Sequence, residues 1–151
     1  MASAQFLADH MLMKLARWLR LAGQDVANPP PRVDDDCLMA IAKQEGRILL
    51  TRDVILAQRC KKAKIESVLI RSSDLESQLG EMRDWGLPMK LEPVRCTLCN
   101  GELVEVTDAE MRAKVPHLGE DAALWGCKSC GKLYWEGSHW KKIRERMERS
   151  E

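Results

Sequence analysis

The chain has 151 residues, which suits one domain or one domain with a small appendage. Its 24 basic and 23 acidic residues nearly cancel, which excludes a strongly polybasic or polyacidic protein. No apolar run approaches the roughly 20 residues that span a bilayer, so a helical membrane protein is excluded as well. A basic segment followed by a long apolar one is missing at the amino terminus, so we expect no secretory signal and a cytoplasmic setting.

Strands and helices alternate through the first 85 residues. Apolar runs predict short strands at Gln5–Ala8, Asp25–Ala27, Ile48–Thr51 and Ser67–Ile70. Helical spacing of apolar residues predicts helices at Met11–Leu21, Cys37–Gln44, Val54–Ala63 and Leu75–Trp85. Because such alternation favours right-handed crossovers between parallel strands, the sequence predicts an α/β fold with a parallel sheet flanked by helices.

Aspartates follow the predicted strands where the chain leaves the sheet. We expect one edge of the sheet to collect Asp9, Asp53, Asp74 and the Asp34–Asp36 cluster. Converging carboxylates repel one another unless a cation lies among them, and magnesium or manganese suits oxygen ligands. Such a metal could activate water for attack on a phosphate. Taken alone, each aspartate is equally well explained as a helix cap, or as part of a solvated loop at residues 34–36.

Basic residues follow the first strand at intervals of three. Lys14, Arg17 and Arg20 are predicted to share one side of the first helix, beside Asp9, where they could hold a phosphate backbone. A solvated helix face is the alternative. Ser72 follows the fourth strand and could help to complete the acidic edge.

Four of the six cysteines form two Cys-x-x-Cys pairs, Cys96/Cys99 and Cys127/Cys130. Two such turns supply the four thiolates of a closed structural zinc site, with a redox pair or uncoordinated thiols as the alternative. We expect a small helix near residues 107–115 between the pairs. His117 and His139 are further possible ligands, although four cysteines already fill the zinc coordination. The two remaining cysteines, Cys37 and Cys60, are expected to be small buried residues on helices.

The tail combines aromatic and basic residues. The segment Trp135–Trp140 precedes a predicted basic helix, His139–Arg149. Its aromatic rings and His139 could stack on RNA bases, and His139 could contact a phosphate or donate a proton. Alternatively, Trp135 and Trp140 pack the cysteine-containing part onto the α/β part.

Several segments together resemble one known family. They are Phe6–Asp9, Lys14–Arg20, Asp34–Asp36 before an Ile-Ala helix, Ile48–Asp53, Arg71–Ser72 before Gln78–Leu79, the cysteine pairs and Tyr134–Trp140. This pattern, which covers nearly the whole chain, resembles the Mut-seven C-terminal RNase domain, a PIN-like family. The resemblance implies a PIN-like α/β fold, a fused zinc ribbon and a metal-dependent RNase activity.

The resemblance also implies site residues. The metal-holding acids of PIN-like nucleases correspond to Asp9 and Asp53, with Asp35 or Asp36 as the middle acid. The sequence departs from the family pattern at Ala8 and His10 and in its three consecutive prolines, 29–31.

We therefore expect a PIN-like domain at residues 1–90 and a zinc ribbon with a basic carboxyl-terminal helix at 91–151. The expected function is a metal-dependent ribonuclease with structural zinc and catalytic magnesium or manganese. Its phosphate- and substrate-binding residues are expected to be Lys14, Arg17, Arg20, Arg52, Ser72 and His139. RNA is the expected partner, with possible tRNA or ribosome association. A non-catalytic RNA- or ribosome-binding module and a protein-interaction module are the alternatives.

Overall fold

The computed structural model describes residues 4–119 and 121–149, without the side chains of residues 138, 139 and 149. Its larger sheet consists of β1 (Gln5–Ala8), β2 (Asp25–Ala27), β3 (Ile48–Thr51) and β4 (Ser67–Leu69). The strand order is β2-β1-β3-β4, and every pairing is parallel. The chain moves outward from β1 to β2 and then crosses back to β3, so the order reverses between β1 and β3. In open α/β sheets, ligands bind beside the carboxyl ends of the strands at such a reversal.

Four helices cover the two faces of this sheet: α1 (Met13–Leu21), α2 (Asp35–Glu45), α3 (Val54–Lys62) and α4 (Leu75–Trp85). On one face, α1 and α4 bury Leu15, Leu19 and Leu79 against Phe6 and Leu50 of the sheet. The helices α2 and α3 pack on the opposite face against Leu7 and Leu49. The predicted α/β fold with helices on a parallel sheet is confirmed.

The predicted ends of the first four helices lie within one residue of those in the structure, except at the starts of α1 and α2, each of which lies beside an aspartate. Residues His10–Leu12 form a single 3₁₀ turn, and the Asp9 side chain caps this turn by accepting the amide hydrogen of His10. The helix α1 therefore begins at Met13 instead of Met11. The helix α2 begins two residues earlier than predicted, because the Asp34 carboxylate accepts the amide hydrogen of Cys37 and caps it. In both cases a capping carboxylate determines where the helix begins.

A second sheet follows residue 100. It consists of β5 (Leu103–Glu105), β6 (Leu124–Cys127) and β7 (Leu133–Trp135), paired antiparallel in the order β5-β6-β7. The connection between β5 and β6 carries α5 (Ala109–Arg112), shorter than the helix expected there, and the chain continues into α6 (Ser138–Arg149). We refer to residues 94–135 as the cysteine ribbon. Among the described helices, none has the length and apolar character needed to cross a membrane.

The helix α1 lies between the parallel sheet and the ribbon. Besides its core against the sheet, it contributes Trp18 and Ala22 to a third apolar cluster with Tyr134, Trp140 and Met147. One helix therefore has its two sides covered by segments far apart in the sequence. The domain boundary expected near residue 90 stays a prediction, and extensive contacts cross it.

A second link between the sheet and the ribbon is centred on Asp25 at the start of β2. Its carboxylate pairs with Arg47 at 2.9 Å and accepts a hydrogen bond of 2.6 Å from the Asn100 side chain. The side-chain oxygen of Asn100, Oδ1, in turn accepts the amide hydrogen of Val26 at 3.0 Å. Burial opposes ionisation of Asp25, but hydrogen bonds from Arg47 and Asn100 outweigh it and lower the pKa of the carboxyl group.

Candidate active site and metal centre

Asp9 and Asp53 leave the sheet side by side, at the reversal of strand order between β1 and β3. The amide of Asp9 donates to Leu50 O at 2.9 Å, which continues the pairing of the two strands by one residue. The buried hydroxyl of Thr51 donates to Asp9 Oδ2 at 2.8 Å and accepts from the backbone amide of Asp53 at 3.0 Å. Thr51 thus holds the Asp9 carboxylate and the Asp53 backbone in one hydrogen-bonded chain.

The Asp53 side chain caps α3 with one oxygen and leaves the other available. Asp53 Oδ1 accepts the amide hydrogens of Ile55 and Leu56 at 2.9 and 3.2 Å. Within residues 4–119 and 121–149, no hydrogen bond engages Oδ2. Asp53 can therefore cap α3 and bind a metal ion at the same time, because each role uses a different carboxylate oxygen.

The three acids at residues 34–36 have different surroundings. Asp34 caps α2, and Asp36, which is exposed, forms an ion pair with Arg59 of α3. The hydrogen bond that Arg59 donates to Asp36 raises the pKa of Arg59, and the charge of the partly buried Asp35 contributes to that increase. Among the described residues, no hydrogen bond or ion pair engages the Asp35 side chain, so its carboxylate is the one of the three still available to a ligand.

The carboxylates are less tightly gathered than the sequence suggested. Among the described residues, the four ribbon cysteines are the one group of three or more potential ligands whose donor atoms all lie within 4.8 Å of one another. Magnesium typically binds one or two carboxylates and completes its octahedron with water, so Asp9 and Asp53 fit such an ion without a third acid. A metal site of three carboxylates stays a prediction.

Two of the three basic residues predicted to face solvent on α1 do so, Lys14 and Arg17. Arg20 is a correction, because its side chain is only 1% exposed. Its guanidinium donates to Val26 O, to Thr97 O at 2.8 Å and to the Asn28 side chain. The ribbon covers the side of α1 on which Arg20 lies, so the guanidinium ties α1 to the ribbon and has no room for an RNA phosphate.

The connections after β3 and β4 carry Arg52 and Ser72. Arg52 is partly buried, and its Nε is a buried donor for which the described residues supply no acceptor. The amides of Arg71 and Ser72 both donate to the Glu81 carboxylate of α4 at 2.9 Å. Burial opposes ionisation of Glu81, but these amide hydrogen bonds lower its pKa. Glu81 therefore fixes the backbone of the loop that carries Ser72.

The cysteine pairs form the second candidate metal centre. The sulfur atoms of Cys96 and Cys130 are 3.7 Å apart, and those of Cys99 and Cys127 are 3.4 Å apart. A zinc–sulfur bond of about 2.3 Å gives sulfur–sulfur edges of about 3.8 Å in a tetrahedron. The four thiols therefore match the dimensions of a structural zinc site and could hold that ion.

Neighbouring groups favour this arrangement of sulfurs. Burial opposes ionisation of Cys96, but hydrogen bonds from the Tyr134 hydroxyl and from the amides of Cys99 and Leu98 lower its pKa to about 6. A side chain at Gly101 is sterically excluded, because its first carbon would lie 2.7 Å from the Cys127 sulfur. Only glycine fits at position 101, because the backbone there passes close to the cysteine sulfurs.

The remaining cysteines and histidines lie outside this cluster. Cys60 is buried as expected, whereas the expectation for Cys37 is wrong, because it is exposed in the first turn of α2. The buried side of that helix is formed by Leu38 and Ala42. His117 is exposed in the connection between β5 and β6. The side chain of His139 lies outside the described part of the structure, so its proposed contact with RNA stays a prediction.

The family model for the Mut7-C RNAse domain matches residues 4–147. The chain belongs to the Mut7-C RNAse domain family. This match indicates a nuclease-like function in general, with RNA as the class of substrate. No curated protein and no solved structure gives a significant match to this chain.

Three features of this Mut7-C chain were missed by the analysis of its sequence. The role of Thr51 was missed because the sequence places a polar residue at the end of this strand but does not indicate which groups its hydroxyl contacts. Nothing in the sequence around Glu81 indicated that it would accept amides from a distant loop. Exposed apolar side chains also flank the acidic edge, with Met11 and Ile55 each 67% exposed and Val54 53% exposed. Helical periodicity had assigned Met11 to the buried side.

Proposed function

We propose that this protein is a metal-dependent ribonuclease that hydrolyses RNA phosphodiesters at the edge formed by Asp9, Thr51 and Asp53. The observation that carries the proposal is the Thr51 hydroxyl, which binds the Asp9 carboxylate and the Asp53 amide at the reversal of strand order. The family match supplies RNA as the substrate class.

Asp9 and Asp53 would hold a magnesium or manganese ion, with Asp35 as the third acid. The ion, when bound, would activate a water and neutralise charge on the phosphate. Thr51 donates to Asp9 Oδ2, which keeps that carboxylate oriented. Because Asp53 caps α3 through Oδ1, its side-chain rotamer is fixed while Oδ2 remains free for the ion.

Exposed basic residues beside the acids would bind the RNA backbone. Lys14 and Arg17 lie on α1, which begins four residues after Asp9. Arg52 stands between Thr51 and Asp53, and the exposed part of its guanidinium could bind a phosphate oxygen. These contacts would orient a phosphodiester towards the acidic edge, and Arg20 takes no part in them.

The cysteine ribbon would hold one structural zinc ion and, with the basic face of α6, guide the RNA strand. We propose residues 1–90 as the nuclease part and residues 91–151 as the zinc-binding part, joined through α1. A reducing compartment such as the cytoplasm would favour zinc over disulfides at the two cysteine pairs. Transfer RNA or ribosomal RNA is a candidate substrate or partner.

A non-catalytic RNA- or ribosome-binding module is the second candidate. One observation favours it: the acids of the edge do not form a group of three with donor atoms within 4.8 Å among the described residues. Such a module would need the basic residues of α1 and the ribbon but no divalent ion at the acids.

Cleavage of labelled single-stranded RNA separates the two candidates. Wild type and Asp53→Asn are compared with manganese, with magnesium and without either. Asparagine caps helices as well as aspartate, so this substitution removes the charge and keeps α3 capped. Asp84→Asn, at an exposed position late in α4, is the matched control. The nuclease predicts metal-dependent cleavage that Asp53→Asn abolishes and Asp84→Asn preserves. RNA binding without cleavage in either metal would favour the binding module.

A further inference from the structure

A cavity of about 430 Å³ opens between α1, the β7 strand and α6. It is separate from the acidic edge and from the cysteine cluster. Its walls are mostly apolar and aromatic, with Trp18, Tyr134, Trp135 and Trp140 among the residues that line it. Cavities that hold small organic groups have volumes of about 300–1,000 Å³, so a single nucleotide is within the range of sizes it could accept.

One wall of the cavity is held in place by aromatic packing. Trp140 is nearly buried and stacks on Trp125 with parallel rings at a centroid distance of 5.9 Å. The ring of Tyr134 meets Trp140 edge-on at 6.3 Å, and its hydroxyl contacts the sulfur of Cys96 at 3.0 Å. This wall is therefore preorganised, because its rings are fixed by one another and by the cysteine cluster.

Trp135 lines the same cavity but, unlike the nearly buried Trp140, it is 36% exposed. Its indole nitrogen lies 3.7 Å from the position that a side-chain carbon at Gly137 would take, so the ring lies against the backbone of that turn. An exposed tryptophan supported on one side can offer its free face to a flat ligand.

Two cations also line the cavity. Arg17 reaches it from the exposed side of α1, and Lys132 lies with Nζ 5.1 Å from the centre of the Tyr134 ring. The nearby acid, Glu136, is engaged in an ion pair with Arg144 of α6. An aromatic cavity with cations therefore suits a planar ring attached to an anion, which is the chemistry of a nucleotide.

We propose that this cavity binds one nucleobase of a single-stranded RNA, with Trp135 stacking on the base and Arg17 and Lys132 binding the adjoining phosphates. The proposal rests on the proposed function in taking RNA as the substrate, and it adds a binding site outside the acidic edge. Arg17 connects the two, since it lies on the helix that starts beside Asp9. Arg17 lies four residues after Met13, a rise of about 6 Å along α1, so a strand leaving the cavity reaches the acids within a few nucleotides.

The test measures binding of the full-length, zinc-loaded chain to a short fluorescently labelled single-stranded RNA, at low salt and without magnesium or manganese. The same RNA is also prepared with one base removed at each position in turn, which leaves the phosphates intact. We expect loss of one base to weaken binding by about 5- to 100-fold, the range for stacking on an aromatic side chain. Trp135→Leu should weaken binding of intact RNA by the same factor and add nothing to the loss seen with the abasic RNA.

Matched variants separate stacking from damage to the fold. Trp85→Leu removes a tryptophan of similar exposure, 39%, that packs on Phe6 away from the cavity, and should bind RNA as wild type does. Trp135→Phe keeps a ring and should recover most of the affinity. Lys132→Gln should reduce the dependence of binding on salt by about one phosphate contact, whereas Lys128→Gln, on the cysteine turn, should not. Zinc content and thermal unfolding are recorded for every variant.

The proposal is overturned if Trp135→Leu binds RNA as tightly as wild type, or if every abasic RNA binds like the intact one. The proposal is also overturned if a heparin fragment, a polyanion without bases, displaces the labelled RNA as well as unlabelled RNA does, because the site would then recognise charge alone. These outcomes are independent of cleavage. Base-dependent binding by a protein that does not cleave RNA would contradict the proposed nuclease function and support the base-binding cavity. Metal-dependent cleavage without base-dependent binding would support the nuclease function and contradict the base-binding cavity.

Discussion

The side chain of Thr51 donates a hydrogen bond of 2.8 Å to Asp9 Oδ2 and joins the ends of two adjacent parallel strands. The hydroxyl oxygen of Thr51 also accepts the amide hydrogen of Asp53 at 3.0 Å. A threonine that is fully buried at the end of a strand thus positions two acids that come from different parts of the chain. Groups that orient metal-binding carboxylates in this way commonly affect activity nearly as much as the ligands themselves.

Replacing Thr51 with valine should therefore lower metal-dependent RNA cleavage by about 10- to 100-fold, because the shape is kept and the hydroxyl is lost. Thr51→Ser keeps the hydroxyl and should retain most of the activity. Cleavage assays over a range of manganese concentrations measure the effect, and the valine variant should need more metal for half-maximal activity. Equal metal dependence in the valine variant and wild type would contradict a positioning role.

The three acids at residues 34–36 should differ in their importance. Asp35→Asn should reduce cleavage by about 100-fold if Asp35 is the third acid, because no described neighbour engages its carboxylate. Asp36→Asn breaks an exposed ion pair with Arg59, and solvent-exposed pairs contribute little to stability. It should leave cleavage and stability nearly unchanged. Kinetic assays on the two purified variants make the comparison, and the opposite ranking would assign the third acid to Asp36.

Arg20 and Arg17, three residues apart on α1, should respond differently to substitution. Arg20→Leu leaves buried oxygen acceptors on Val26 and Thr97 without their donor, so we expect a loss of about 3 kcal/mol in the free energy of unfolding. Arg17→Leu should leave stability within about 0.5 kcal/mol of wild type and weaken RNA binding. Urea unfolding and RNA titration of both variants measure these effects. A stable Arg20→Leu variant with weakened RNA binding would contradict the structural role.

Removal of zinc should disrupt the cysteine ribbon and the aromatic cavity together. The Tyr134 hydroxyl contacts the sulfur of Cys96, and Tyr134 packs on Trp140, so loss of the metal leaves this wall without support. We expect about one zinc ion per chain, released by a chelator with a change in tryptophan fluorescence and a lower melting temperature. Cys96→Ser should reproduce the chelated state. Absence of bound zinc in the natively purified protein, with an unchanged fluorescence spectrum after chelation, would contradict this prediction.

Asp25 should contribute stability that depends on pH. Its pKa is lowered in the folded protein, so the contribution is complete above the unfolded pKa and is lost as the pH falls through the folded value. Asp25→Asn should cost about 2 kcal/mol at neutral pH, because Arg47 loses a partly buried partner. The difference between wild type and variant should shrink as the pH falls below the usual carboxyl pKa of 3.8. Urea unfolding of both proteins as a function of pH measures it, and a constant difference would contradict the assignment.

The parallel sheet was predictable because each strand is a short apolar run and each helix has its own period, so local patterns sufficed. The placement of Asp9 and Asp53 at neighbouring strand ends followed from that topology. Arg20 shows what local patterns miss. Its spacing from Lys14 and Arg17 indicates one shared face, but whether that face meets water depends on a segment that follows more than seventy residues later. Met11 differs in being a local case, because its exposure follows from a 3₁₀ turn, capped by Asp9, that helical periodicity does not predict.

The helix α6 packs on α1 although the two are far apart in the sequence, and this separation matters while the protein is being synthesised. Trp18 packs beneath the guanidinium of Arg146, at 5.2 Å, and that arginine is made more than a hundred residues later. At a synthesis rate of about 5–20 residues per second, α6 becomes available to pack on α1 only after a delay on the order of ten seconds. During that interval a nascent chain carries Trp18 without its carboxyl-terminal packing partners and Arg20 without its Thr97 acceptor, so apolar surface on α1 stays exposed until synthesis is complete.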